Sequence, residues 1–378
     1  MKKTILHVAK YYYPDVGGIE TIAKSLAEGL SDYQNVVVCF ATDGKDQTDV
    51  VNGITVHRVK VNFSFMHQDV AFGYFAALRQ LVDQYHPQFV HVHCPNPYVY
   101  PFVLKAIGKD TQLVLHWHSD IISKGLVYHL IKPFEKAILK RADCILATSP
   151  NYIHPSSPIF DYKEKTKIVQ NGIVTSDFDL QAGDAASIEA VRNSYGNKKL
   201  VFFVGRHISY KGLELLIEAE KYIASDCKII IAGSGPLTEA LKQRSTSERI
   251  VFTGRLSGDA LRHYVYAAQV FAFPSVTKAE AFGMALAEAM YCGCVPVVFH
   301  LEGSGVNWVS VNNETGMEVP LGDCRAFAQA IDRLRAAGIQ NISIDLMYGF
   351  PGETLSDWQH DIDSAIALDV EHLSAYCL

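Results

Sequence analysis

Short apolar runs alternate with amphipathic stretches along almost the whole chain. The runs Thr4–Val8, Val36–Phe40, Phe89–His93, Leu113–His118, Cys144–Thr148, Lys167–Val169, Leu200–Val204, Lys228–Ala232, Ile250–Phe252, Val270–Phe273 and Val295–Phe299 read as strands. Helical patterns fit between several of them, at Gly18–Leu30, Tyr74–Tyr85, Leu126–Lys140, Gly212–Ile223, Pro236–Ser245 and Gly258–Ala267. Apolar runs without polar alternation suit strands covered on both faces, and strands alternating with helices predict parallel βαβ units. The rhythm pauses over Asp177–Lys199, a polar stretch with Ala, Gly and Asp, and restarts at KKLVFFVG. The pattern therefore predicts an α/β chain with a doubly wound, Rossmann-like domain over 1–176, a linker over 177–199 and a second such domain over 200–335. In such sheets ligands lie beyond the carboxyl ends of the strands.

Bulk properties change this picture little. A length of 378 residues suits two domains, and 49% hydrophobic with 20% charged residues is ordinary for a water-soluble globular chain. The net charge of −6 gives no reason to expect nucleic acid as a partner, so any anionic ligand needs a local basic patch. The eight cysteines include no CxxC pair, and Cys292-x-Cys294 has no second half, which suggests reduced thiols in the cytoplasm. The opening MKKTILHVAK has too short an apolar run for a signal peptide and reads as a first buried strand. No stretch approaches the ~20 apolar residues that cross a bilayer. A cytoplasmic protein is expected, at most peripheral at the inner face of the membrane.

The chemistry concentrates in loops after strands. FPSVTKAEAFGMALAEAMYCGCVPVV (Phe273–Val298) runs from a strand through a loop bearing Glu280 into a helix bearing Glu288. Helix starts aim backbone N–H groups at anions, so a diphosphate suits this place. Gly17-Gly18 forms the first strand-to-helix turn, where the backbone admits a close ligand; without GxGxxG, a nicotinamide site is disfavoured. HWHSD ends a strand and offers His118, ahead of His116, with Asp120 behind them. VGRHISYKG places Arg206 and Lys211 in the loop after the first strand of the second domain, where fixed cations suit a departing diphosphate. IAGSGPL, with Gly233 and Gly235, and TGRLS, with Arg255, are further strand-end turns.

The EAFG core, the E-x7-E spacing, the VGRHISYKG loop and the Gly17-Gly18 turn resemble the retaining GT-B glycosyltransferases of the family-4 type over about Met1–Leu334. The resemblance implies a GT-B fold, two doubly wound Rossmann-like domains facing across a cleft, and transfer of a sugar, with retention, from a UDP- or GDP-linked donor to a sugar or lipid-linked acceptor. Surface polysaccharide or glycolipid assembly is the implied setting. It assigns Glu288 to the ribose hydroxyls and Glu280 to the donor sugar. Phe282, Gly283, Met284 and Ala285 would meet the sugar and diphosphate, and Gly233, Gly235 and Arg255 would border the base and ribose. His118 would line the cleft beside the transferred sugar; with Glu280 it is the candidate catalytic residue. No cofactor or metal is implied, and Asp361-Ile362-Asp363 is a coincidental DxD. The competing readings are a non-catalytic sugar-nucleotide-binding or scaffold protein and, less favoured, a sugar-nucleotide epimerase.

Lys132, Lys136 and Lys140 recur at helical spacing. That stripe suits an anionic membrane bearing a lipid-linked acceptor, but a plain solvated helix face is the more common origin of such stripes.

The tail, 336–378, has another character. NISIDLMYGFPG, TLSDWQHDI and HLSAYCL resemble an internal piece of the radical-SAM proteins related to oxygen-independent coproporphyrinogen oxidase and the haem chaperone. They read as strand Asn341–Met347, turn Gly349–Gly352, helix Thr354–Leu368 and strand His372–Tyr376. No C-x3-C-x2-C cluster motif accompanies them, and the closing helices expected of a GT-B enzyme are replaced. A fusion or chimera is expected, with its seam near Arg333–Gly338 and with activity impaired by the tail.

Overall fold

The apolar runs assemble into two large sheets. The computed structural model describes residues 2–15, 17–65, 68–121, 126–336, 343–348, 354–367 and 372–377. In the first half, β1 (Thr4–Val8), α1 (Gly18–Gly29), β2 (Gln34–Ala41), β3 (Gln47–Val51), β4 (Ile54–Lys60), β5 (Phe63–Phe65) and β6 (Gln68–Val70) come first. They are followed by α2 (Tyr74–Tyr85), β7 (Phe89–Cys94), α3 (Tyr100–Ala106), β8 (Gln112–Trp117), α4 (Leu126–Arg141), β9 (Cys144–Ala147) and β10 (Thr166–Ile168). The sheet order is β10-β9-β8-β7-β1-β2-β4-β3, parallel throughout except for β3 against β4.

The second half begins with α5 (Asp184–Ser194) and continues through β11 (Lys199–Val204), α6 (Leu213–Glu220), β12 (Cys227–Ala232), α7 (Thr238–Arg244), β13 (Ile250–Gly254) and α8 (Gly258–Ala267). It ends with β14 (Val270–Phe273), α9 (Met284–Tyr291), β15 (Val295–Phe299), α10 (Val306–Val309), β16 (Met317–Val319) and α11 (Cys324–Ala336). Its sheet, β13-β12-β11-β14-β15-β16, is wholly parallel.

Burial on both faces explains the unbroken apolar runs. On β2, Val36, Val38 and Phe40 enter one core cluster, while the intervening Val37 and Cys39 enter another with Ala23 and Ala27 of α1. Each sheet changes direction of winding beside its first strand, at β1/β7 and at β11/β14. Loops diverge at such switch points and leave a crevice. The loops after β1, β8, β11 and β14, which carry the charged motifs, all leave carboxyl ends of strands around these two places.

Three features depart from the sequence expectation. The chain between the second and third expected strands forms the β3–β4 hairpin, turned at Asn52 (φ 50°) and Gly53 (φ 82°). The interval before the strand at Leu113 carries α3. The stretch expected as a linker, 177–199, contains α5, whose Ile188 is buried in the second core. There Asp184 accepts from Arg262 Nε of α8 at 2.8 Å and pairs with His263 Nε2 at 2.6 Å. A polar surface had concealed a packed helix.

The tail forms the expected βαβ unit: β17 (Ser343–Tyr348), α12 (Leu355–Ala367) and β18 (His372–Cys377). Its strands pair in parallel with each other and, among the described residues, extend neither large sheet. The expected turn Gly349–Gly352 lies outside the described residues, as do 337 and 338 of the expected seam.

Candidate active site

Lys211 and Glu280 meet where the loops after β11 and β14 come together. Lys211 ends a short 3₁₀ turn after β11, and Gly212 follows with φ 63°. A Cβ on Gly212 would stand 2.0 Å from the carbonyl oxygen of Pro274, so only glycine lets the two loops meet here. Their meeting brings Lys211 Nζ into an ion pair with Glu280, and both side chains are nearly buried. Ser275 Oγ donates to the same carboxylate at 3.1 Å, and Lys211 also lies over the Phe273 ring, 4.9 Å from its centroid. A buried pair of this sort is costly to desolvate and poorly suited to pure stabilisation, which makes it a candidate for function.

The other candidates lie on strand-end loops and on α9. Gly283, with φ 86°, caps α9, and Phe282 is buried beside it. Gly18, at the start of α1, faces Met284: a Cβ added there would be 3.6 Å from Met284 Cγ. The first-domain glycine turn and the α9 end thus oppose each other across the cleft. Arg206 is exposed and close enough to Lys10 and Glu20 to influence both charges. Glu288 lies on α9, half-buried, with its carboxyl pushed up to about 7 by desolvation and by the nearby Asp177 carboxylate. Arg255 is exposed after β13.

Two assignments gain a different physical account. Gly233, at φ 116°, would put a Cβ 1.9 Å from Gly205 O, and one on Gly235 would be 2.5 Å from His207 O. Packing of the two loops is enough to require these glycines. Asp120 is buried and already engaged: Trp117 Nε1 donates to it at 2.9 Å, Ser157 Oγ at 3.1 Å, and Lys278 Nζ pairs with it at 2.7 Å. Its position is that of a bridge between the halves.

His118 follows β8, buried, and its Nε2 is 3.0 Å from His93 Nδ1. Burial, with neighbouring imidazoles adding to it, drives the His118 pKa well below the usual value, so the ring is neutral. His116 lies in the same group, together with His7 and His91.

Sequence reasoning missed the groups that tie the halves together. Lys278 also donates to Ser156 Oγ at 2.9 Å, and Thr148 Oγ1 donates to the Ala281 carbonyl at 3.3 Å. Ala281 itself is buried in the first-half core cluster. Glu280 and Ala281 are neighbours in sequence but serve opposite sides of the cleft. The only available signal was the basic residue two places before Glu280.

Two parallel α/β sheets facing across a cleft, with a buried cation–carboxylate pair at the second switch point, define a GT-B glycosyltransferase frame. Residues 16–177 match the family described as Glycosyltransferase Family 4, and residues 198–336 match Glycosyl transferases group 1. The chain belongs to the glycosyltransferases, and is a transferase built from these two domains. It is 28% identical over 333 residues to the D-rhamnosyltransferase WbpZ of Pseudomonas aeruginosa, covering 86% of this chain and 85% of that one. With the O-antigen chain mannosyltransferase C of Escherichia coli it shares 29% over 338 residues, covering 87% and 88%. The fold is also similar to sucrose-phosphate synthase from Thermosynechococcus elongatus, with TM-score 0.73, 22% identity and coverage of 89% and 90%. Anabaena HepE in complex with UDP has TM-score 0.66 at 20% identity, with the same coverage.

Proposed function

We propose that the protein moves a sugar, with retention, from a UDP- or GDP-linked donor to a hydroxyl of a sugar or lipid-linked acceptor in surface polysaccharide or glycolipid assembly. The buried Lys211–Glu280 pair beside the α9 N-terminus carries this reading. Lys211 and the exposed Arg206 take the diphosphate, with the free N–H groups at the start of α9, including those of Met284 and Ala285, completing the anion site. As the glycosidic bond lengthens, charge builds on the leaving diphosphate, and cations already fixed in place stabilise it without reorganising. Once Lys211 turns to phosphate, Glu280 is released to accept hydroxyls of the donor sugar. Glu288 accepts the two ribose hydroxyls, as an ionised carboxylate does well. Neutral His118, backed by His93, stands beside the sugar. Gly17 and Gly18 leave room for the acceptor side, while Gly233, Gly235 and Arg255 border the base. The O-antigen mannosyltransferase among the relatives favours the polysaccharide setting.

The test is release of nucleoside diphosphate from a panel of nucleotide sugars and acceptors. Native protein turns over one donor, and Lys211→Ala and Glu280→Ala lose about 100- to 1,000-fold in kcat. Equal rates in a correctly folded Lys211→Ala protein would sink the proposal.

A peripheral contact with anionic membrane is part of the same proposal. On α4 the exposed lysines 132, 136 and 140 flank Leu130, 73% exposed, and Phe134, 45% exposed. Apolar and basic groups on one exposed helix suit a bilayer surface. Among the described residues no helix is long and apolar enough to cross a membrane. For the tail we propose a segment foreign to the transferase, of radical-SAM-like origin and without its chemistry; the exposed Leu355 and Ile366 on α12 support this.

A further inference from the structure

Strands β1, β7 and β8, with the residue just past β8, place five buried histidines on neighbouring positions: His7, His91, His93, His116 and His118. Register sets His7 beside His91 and His93 beside His116, so the two H-x-H repeats form a ladder across three strands. A buried imidazole normally satisfies its ring nitrogens. Here, among the described residues, both nitrogens of His116 and Nε2 of His93 have no hydrogen-bond partner.

We propose that His93, His116 and His118 form a site for a borderline transition-metal dication, with zinc as the leading occupant. One donor atom from each of the three rings lies within 4.8 Å of the others. His93 Nδ1 and His118 Nε2 are 3.0 Å apart, near the edge of about 3.4 Å expected for a tetrahedron with ordinary zinc–nitrogen bonds. The His116 and His118 rings now stack with centroids 4.0 Å apart, so they must tilt away from each other for their donors to converge on one centre. The proton now shared between these two nitrogens moves to the other nitrogen of its own ring, and no net charge is lost from the protein. Burial holds all three rings neutral, the form that ligates. An all-imidazole set selects zinc, cobalt, nickel or copper over magnesium and calcium, which prefer oxygen.

A cavity reaches the edge of this group. His116 lines a cavity of about 210 Å³ with Ile22, Ser25 and Leu26 of α1 and Asn171. Asn171 Oδ1 is itself buried, with no partner among the described residues. The other triad, His7, His91 and His93, is less suited because His7 Nε2 is engaged with Asn35 Oδ1 at 3.1 Å.

The site is tested without turnover, so its failure is separate from any failure of the transferase reading. Metal-stripped protein is titrated with Co²⁺, followed by visible absorption, and then with Zn²⁺ against a chromophoric chelator. One ion per chain is expected, with a four-coordinate cobalt spectrum abolished by zinc. His116→Gln and His93→Gln each weaken binding by about tenfold or more, and His7→Gln leaves it unchanged. X-ray absorption of the zinc-loaded native protein counts three imidazoles, a readout that needs no variant to fold. Absence of binding, fewer than three imidazoles, or loss in His7→Gln but not in a folded His116→Gln overturns the proposal.

Discussion

Glu288 is half-buried on α9, and desolvation together with Asp177 opposes its ionisation, raising its carboxyl from 4.5 to about 7. A raised acid costs the folded state nothing at low pH, where both folded and unfolded forms are protonated. Between about pH 4.5 and 7 the unfolded chain releases the proton first, and stability declines; above 7 the loss is complete. Glu288→Gln therefore melts at higher temperature than native protein at pH 8, by about 1–2 kcal/mol after allowance for partial exposure, and matches it near pH 4. The same carboxyl makes donor binding pH-dependent if it holds the ribose. Affinity measured by calorimetry should rise from pH 6 to 8 in native protein and stay flat, and weaker, in Glu288→Gln. A parallel rise in both proteins would remove Glu288 from the ribose. At this scale the sequence was informative about charge but not about its state. E-x7-E gave the two acids, whereas the partner of Glu280 and the neighbour of Glu288 come from loops 69 and about a hundred residues away.

Elements with strong apolar runs were the most legible: β1, α2, α8, β14 and β15 end where the pattern ends. Elements whose buried face is thin were not. α5 buries little beyond Ile188 and the Asp184 carboxylate, so its composition resembles a linker. Its attachment to α8 is ionic instead. Hydrogen bonds from Arg262, from the Gln181 backbone and from His263 hold the Asp184 carboxyl below the ordinary carboxylate range. A depressed acid contributes stability that is present above its unfolded value near 4 and is lost as pH falls toward the folded one. Native protein is expected to lose melting temperature on acidification below pH 4 more steeply than Asp184→Asn, which melts lower at pH 7. Equal slopes would show that the pair adds nothing. The hairpin β3–β4 was signalled by Asn52-Gly53, a turn that favours positive φ at both residues, but its strands alternate too briefly to dominate the pattern. For α4, flotation with vesicles of anionic lipid checks the exposed surface. Lys132, Lys136 and Lys140 changed together to Glu should abolish association that neutral vesicles never show.

Across the whole molecule, the two-sheet architecture was legible because each half repeats one supersecondary unit. The contacts that join the halves were not, since Thr148 meets Ala281 across 133 residues of chain. The tail stands outside this architecture, with its own two-stranded sheet. A chain ending at residue 338 should keep the native melting temperature and gain, or at least retain, turnover; a fall of several degrees would show that the tail completes the second half. The placement of Ala281 in the first-half core has a mechanical consequence. Parting the halves must extract a buried methyl group and break the Asp120–Lys278 pair in the same movement. Such a latch yields abruptly, like a snap fastener, and on the proposed function release of spent nucleotide becomes a discrete event with its own waiting time.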